Sequence, residues 1–292
     1  MAPKVSVLIP TYNRAALLPD AVASVLGQTM RDLELIVIDD GSTDGTANML
    51  AELFGADPRL RVIRTQNSGA ARARNRGVDE ARADYIALLD SDDIHEPEFL
   101  ATQIELLENN PTASLAICDA RYEGPWEHDH ETLTADRGYQ PPVSVAAMVA
   151  GAWSPTSVWL MRTRVLREFR FDAAVQRSED TEMLWRLNNA GHEIIWNPEK
   201  LAIYRRHRDP GSPQKSENQI DRDRVHIELI ERYGADEPGF RRSLAYLHRV
   251  RAIHLCRAGR SREARPHAWV WWSSRPSSLR ALGCLVRSVV AR

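Results

Sequence analysis

The chain has 292 residues, room for one large domain or a domain with an appendage. Its 43% hydrophobic and 27% charged side chains are those of a globular protein, and a formal net charge of −2 excludes the overall basic field that draws a chain to nucleic acid. Cys118, Cys256 and Cys284 stand far apart with no CxxC pair, so neither a disulfide framework nor a cysteine metal site is expected.

In chain order, short apolar runs alternate with helical patterns through the first hundred residues, the signature of parallel α/β units. "VSVLIP" (5–10) reads as the first strand, followed by a helix with Leu17, Leu18, Ala21, Val22, Val25 and Leu26 at helical spacing and a stop at Gly27. No signal-peptide core precedes that strand. "LELIVI" (33–38) reads as the second strand, with Ser42 or Thr43 capping a helix that carries Met49, Leu50 and Leu53. "LRVIRT" (60–65) is a short third strand, "GAARARNRGVDEA" (69–81) a small-residue helix and "YIALLD" (85–90) a fourth strand. Further strands are read at 114–122 and 157–162, a loop over 123–142 and a helix over 177–191 with Ser178 as N-cap. "HEIIWNP" and "LAIYRRH" complete the region, and beyond "DPGSPQKS" the pattern is wholly helical. The expected organisation is a sheet domain over 1–212 and a helical region over 213–292.

Open parallel sheets bind ligands at the carboxyl ends of their strands. Here those ends carry Pro10, Thr11 and Tyr12, then Asp39 and Asp40, then Asp90, Ser91 and Asp92. The first turn, "PTYNRA", has no glycine, which argues against a dinucleotide fold whose backbone must approach a pyrophosphate. Tyr12 suits stacking on a planar group, with packing at a loop as the alternative, and Asp39 suits accepting an N–H from that group. Asp90, Asp92 and Asp93 repel one another and pay a desolvation cost. Alone they read as an acidic turn starting a helix at Pro97; with three strand ends converging, they read as oxygen ligands of Mg or Mn shared with a diphosphate.

"VSVLIPTYNR", "LELIVIDDGSTDGT", "QNSGAARARNRG", "YIALLDSDD" and "SEDTEMLWRL" resemble, in order, the blocks of inverting glycosyltransferases of family 2, over about residues 4–208. The resemblance implies a GT-A fold: a Rossmann-like α/β mixed sheet of mostly parallel strands with helices on both faces, here with a C-terminal helical appendage. It also implies a nucleoside-diphosphate sugar donor, most often UDP-linked, and a divalent metal, Mn or Mg. By that resemblance Pro10, Thr11 and Tyr12 line the nucleoside pocket, with Arg14 and Ser91 counted among the donor-binding residues. Asp39 reads the base, and Arg72 and Asn75 lie near the donor. Asp90 approaches the ribose or the metal, Asp92 ligates the metal and Asp93 plays a supporting part. Asp180 is implied as the base that takes the acceptor proton, Glu179 as the residue that orients the acceptor, and His207 as a further metal or diphosphate ligand beside Arg205, Arg206 and Arg208.

Trp153 in "GAWSPTS" is read either as an acceptor-stacking ring or as a core residue. In "SLRALGCLVRSVVAR", Leu279, Leu282, Val286 and Val289 share one helical face, which suits either packing or contact with a membrane that carries a lipid-linked acceptor. No stretch reaches the roughly 18 apolar residues of a membrane span. The expectation is therefore a cytoplasmic enzyme, working on a glycan or lipid-linked acceptor in bacterial polysaccharide synthesis, with peripheral contact at the inner face of the membrane left open. Two rival readings remain: an Asp-nucleophile phosphotransferase, for which only Lys200 and Lys215 could supply the downstream lysine, and a nucleotide-sugar-binding module without turnover.

Overall fold

The computed structural model describes residues 2–124, 132–133, 154–175, 178–205, 213–237, 239–275 and 278–290. The first helices and strands alternate as the sequence pattern requires: β1 (Val5–Thr11), α1 (Leu18–Leu26), β2 (Leu33–Asp39), α2 (Thr46–Phe54), β3 (Leu60–Arg64), α3 (Ala70–Glu80) and β4 (Tyr85–Leu88). Then follow β5 (Ile94–His95), α4 (Phe99–Asn109), β6 (Ala113–Glu123), a 3-10 turn (Thr156–Val158), β7 (Trp159–Arg162), α5 (Thr163–Phe169), α6 (Glu179–Asn189) and β8 (Glu193–Arg205). The two runs read separately at 192–207 form one 13-residue strand, β8, because the polar "NPEK" between them stays paired to β6 through register shifts at Cys118/Asp119 and Asp119/Ala120.

Among the described residues eight strands join one sheet in the order β3-β2-β1-β4-β7-β6-β8-β5. β1 runs parallel to β2 and β4, β2 to β3 and β6 to β8, while β7 opposes β4 and β6 and β5 opposes β8. The sheet is thus mixed with a parallel majority. Every residue of β1, β2 and β4 is buried, as expected of central strands covered on both faces. Connections from β1 to β2 to β3 step one way, and the connection through α3 returns across β1 to β4. Right-handed crossovers therefore place α1 and α2 on one face and α3 on the other.

The reversal between β2 and β4 makes the carboxyl end of β1 a topological switch point, where open sheets leave a crevice. α3 lies close above it because its contact face is small. A Cβ on Gly77 would meet Ile38 Cδ1 at 2.9 Å and Leu8 Cδ1 at 3.1 Å, so glycine sets the helix-to-sheet distance.

The chain divides into two compact units. The sheet unit comprises Met1–Val143, Ala152–Ala173 and Arg186–Arg208. The other includes Ala174–Trp185 and Asp209–Arg292, so α6 begins in it and ends in the sheet unit. Its helices α7 (Pro213–Tyr233), α8 (Phe240–Arg257), α9 (Ser261–Ser274) and α10 (Leu279–Val290) pack around two small cores. Ala252, Ala268, Trp271 and Ala281 form one, flanked by Cys284 and Leu285; Ile220, Leu255 and Ala264 form the other. Leu279 and Leu282 of α10 and Trp269 of α9 stay exposed.

Below the switch point, His95 is fully buried, stacked on Phe99 at 3.7 Å, and its Nε2–H donates to the Ser157 carbonyl at 2.8 Å. Burial lowers its pKa from 6.5 to about 4. The unfolded chain therefore binds more protons than the folded one between these values, and stability falls as pH drops through that window. At 1.36 kcal/mol per unit the full loss is about 3 kcal/mol. Urea unfolding of the native protein and of His95→Gln at pH 7 and pH 4.5 checks it: the native protein should lose more stability than the variant, and equal losses would show that His95 does not titrate in this way.

Candidate active site

The strand ends at the switch point are stitched to one another by side chains of their own loops. After β1, Asn13 takes a left-handed backbone (φ 52°), which asparagine tolerates; its N–H donates to Ser42 Oγ at 2.9 Å and its Oδ1 accepts the Thr43 N–H at 2.8 Å. Asp44 Oδ2 accepts the Ala15 N–H at 3.0 Å. Ser42 and Thr43 are thus spent on the neighbouring loop rather than as helix caps. α2 starts later, at Thr46, whose N–H and hydroxyl both reach Asp44 Oδ1.

This loop pair leaves the Tyr12 ring 48% exposed, a surface ring and not a core one. Pro10 and Thr11 are buried at the end of β1, and Thr11 Oγ1 has no hydrogen bond among the described residues. Asp39 is fully buried: Oδ1 accepts the Ser42 N–H at 2.8 Å, while Oδ2 has no hydrogen bond, with Arg64 Nε at 3.8 Å. Asp40 has a different task. Its carboxylate accepts the Ser68 and Gly69 N–H groups and the Thr65 hydroxyl, and so holds the turn into α3. A cavity of about 250 Å³ opens beside Asp39, lined by Ser42, Thr46, Asn48 and Arg64 among others.

The acids after β4 part into three roles. Asp90 Oδ1 accepts from Arg74 Nη2 at 2.7 Å and from Thr156 Oγ1 at 3.1 Å, and its carboxylate is 30% exposed. Asp93 is buried, with Oδ2 accepting the Ser157 hydroxyl at 2.5 Å and Oδ1 the Arg205 N–H at 2.9 Å. Burial, and then the charges of Asp90 and Asp92, push the Asp93 carboxyl well above the usual carboxylate range. Asp92 is 25% exposed and faces the guanidinium of Arg14 at 3.9 Å, and its carbonyl accepts from Arg205 Nε at 2.5 Å. Ser91 is buried between them.

Of the residues expected near a donor, Arg72 is exposed on α3, and Asn75 spends both ends of its amide on the backbone of Phe171, at 2.8 and 2.9 Å. Arg74 is the α3 arginine that reaches the acidic loop. Its sequence signal is its place on the apolar face: Ala71, Arg74 and Val78 recur at helical spacing, and a basic residue there needs a buried carboxylate. Arg205, which the resemblance puts beside the leaving diphosphate, pairs with Asp20 Oδ2 at 2.7 Å and donates to the Asp92 carbonyl from β8. Glu179 and Asp180 open α6 in the other unit, and Asp180 Oδ1 accepts the Thr181 N–H at 2.6 Å. Trp153 and His207 lie outside the described residues.

The donor set suits a hard divalent cation: Asp90 and Asp92 offer partly exposed carboxylate oxygens in a loop that already carries excess negative charge. Among the described residues no group of three or more His, Cys, Asp or Glu forms a complete ligand shell.

The family model for glycosyl transferase family 2 matches residues 6–168, more than half of the chain and all of the strand ends just described. The chain belongs to that family. A putative teichuronic acid biosynthesis glycosyltransferase of Bacillus subtilis, TuaG, is 38% identical over 141 residues, 46% of this chain and 56% of that protein. The first 349 residues of TarS from S. aureus superpose with a TM-score of 0.64 at 19% identity, covering 98% of this chain and 81% of that one. A mannosyltransferase from Pyrobaculum calidifontis, solved with GDP-Man and Mn2+, superposes with a TM-score of 0.64 at 20% identity, covering 100% and 85%. These likenesses show the GT-A fold. The chain spans from 18% to 56% of the length of the first curated relatives it matches.

Arg74→Met should strand the Asp90 carboxylate and cost about 2 kcal/mol, the worth of a charge-assisted bond with a partly buried partner. Adding Asp90→Asn should restore part of that loss, and a urea double-mutant cycle with no coupling would show that the pair does not carry the interaction.

Proposed function

We propose that the protein transfers a sugar from a nucleoside-diphosphate sugar, UDP-linked, to an acceptor hydroxyl with inversion at the anomeric carbon, in bacterial polysaccharide synthesis. The observation that carries this reading is the gathering of an exposed ring, Tyr12, a buried carboxylate oxygen on Asp39 that has no hydrogen bond, and Asp90 and Asp92 at one switch point. Crystal structures of TarS with UDP and with UDP-GlcNAc, and the relation to a protein of teichuronic acid synthesis, support the choice of donor and setting.

In this reading the base stacks on Tyr12 and an N–H of its edge meets Asp39. Asp90 Oδ2 faces the ribose, since Oδ1 is held by Arg74 and Thr156. Asp92 would hold a divalent cation, Mn or Mg, and such a cation would supply positive charge against the departing diphosphate. Asp180 takes the proton from the acceptor hydroxyl while Glu179 orients it. As the new bond forms at C1, the bond to the diphosphate breaks and its electron pair leaves with the nucleoside diphosphate. A phosphotransferase using an aspartyl nucleophile is disfavoured, because Asp93 is sealed by Ser157 and Arg205, and Asp90 is tied to Arg74. The exposed Leu279, Leu282 and Trp269 support a peripheral membrane contact through the C-terminal helices, where a lipid-linked acceptor would be met.

A thermal-shift screen of nucleotide sugars tests the donor pocket, since a ligand of the folded state raises the melting temperature. One UDP-sugar should stabilise the protein only with Mn present, and Asp92→Ala should abolish that Mn-dependent shift. An equal shift without metal in the native protein would remove Asp92 from the metal site.

Asp180→Asn tests the base. A positioned base gives about 10²- to 10⁴-fold, so a 10³-fold loss of kcat, about 4 kcal/mol of barrier, should appear with UDP binding unchanged. Turnover near the native rate with the same pH profile would assign the proton to another group.

A further inference from the structure

Charge is divided along this chain in a way its net value hides. Residues 239–292 hold twelve arginines, no lysine and one carboxylate, Glu263, whereas residues 1–238 carry 26 basic and 39 acidic side chains. Some of that excess converges on one place. Within the C-terminal unit a pocket of about 410 Å³ lies between α8 and α9, with Arg241, Arg242 and Arg249 on one wall and Arg275 at the end of α9 on the other. Its floor is Trp271, and Tyr246 stands exposed at its side.

Four guanidiniums in one pocket repel one another unless something negative lies among them. Three other arginines of this unit do have partners: Arg224 pairs with Glu228, Arg260 with Glu263, and Arg251 donates to the Ile220 carbonyl and to His267. Among the described residues none of the four pocket arginines has an ion pair. Arg249 stacks on the Tyr246 ring at 5.0 Å, and its Nε has no acceptor. Arg241 and Arg242 also occupy the first turn of α8, an 18-residue helix whose N-cap is Gly239 with no side-chain cap, so the positive end of the helix adds to theirs. The volume is within the roughly 300–1,000 Å³ of small-ligand sites.

We propose that this pocket is a phosphate-binding site, separate from the strand-end crevice, that takes a phosphodiester or diphosphate group and lays the adjoining part of the molecule on Trp271 and Tyr246. Planar guanidiniums match phosphate oxygens two at a time, and four of them, rather than lysines, suit a doubly charged group. The group can come from a lipid headgroup or from a water-soluble phosphate, and the chemistry of the pocket is the same for both.

Calorimetry of the full chain with pyrophosphate is the direct test, beside flotation with vesicles of phosphatidylcholine, with and without phosphatidylglycerol. Pyrophosphate should bind, more weakly as salt rises. Arg241→Gln with Arg242→Gln, both exposed positions, should weaken it about tenfold, the loss of charge-assisted bonds. Arg257→Gln with Arg265→Gln removes the same charge from exposed positions outside the pocket and should change affinity far less. Should the first pair fail to melt cooperatively, Arg275→Gln replaces it. Vesicle binding that pyrophosphate displaces and the pocket variant loses marks a lipid source; pyrophosphate binding without vesicle binding marks a soluble one. Absence of pyrophosphate binding, or equal loss in both variant pairs, overturns the site.

Discussion

Three carboxylates within four residues at the end of β4 cannot all keep their charge unless each is given a different environment, and the sheet unit is arranged to do so. Asp93 goes inward, where a hydroxyl from the 3-10 turn and a backbone N–H from the end of β8 hold it, and where burial favours its protonated form. Asp90 meets a guanidinium delivered by α3. Asp92 is left at the edge with Arg14. One short loop therefore touches α3, the segment before β7, the end of β8 and the loop after β1, and the spatial order of those elements is tied to the solution of a charge problem.

The same logic runs through the other strand ends. Asp39 and Asp40 are adjacent in the chain but part at the strand end: one keeps a buried oxygen without a hydrogen bond and the other closes the turn into α3. Asn13, Ser42, Thr43 and Asp44 spend their polar groups on each other's backbone, so the two loops that frame Tyr12 form one unit. In the helical unit the division of labour is different, since α8, α9 and α10 bury alanines and Trp271 between them and leave arginine and leucine outward.

Much of this was legible in the residues. Apolar runs of five to seven residues separated by helical periodicity are what a buried parallel sheet requires, and β1 to β4 appear where that pattern puts them. Acids at strand ends could be read too, because polar groups placed straight after a buried strand have few places to go. What could not be read were partners distant in the chain. The place of Arg74 on the apolar face of α3 could be read, but not that its partner is Asp90, 16 residues on. Asn75, which the resemblance puts near the donor, gives both ends of its amide to the backbone of Phe171, 96 residues on, a partner no local pattern shows. The arginine-lined pocket was invisible because residues 33 positions apart, Arg242 and Arg275, become neighbours only when α8 packs on α9.

By itself, then, the sequence determined the alternation of strands and helices, the membership of the glycosyl transferase family and the clustering of acids at one edge, since each depends on periodicity or on residues near one another in the chain. Only the tertiary structure decided which acid is sealed and which guanidinium each of the other two meets. That choice depends on desolvation and on charges brought from α3 and β8, and both are properties of distances that a linear pattern does not contain.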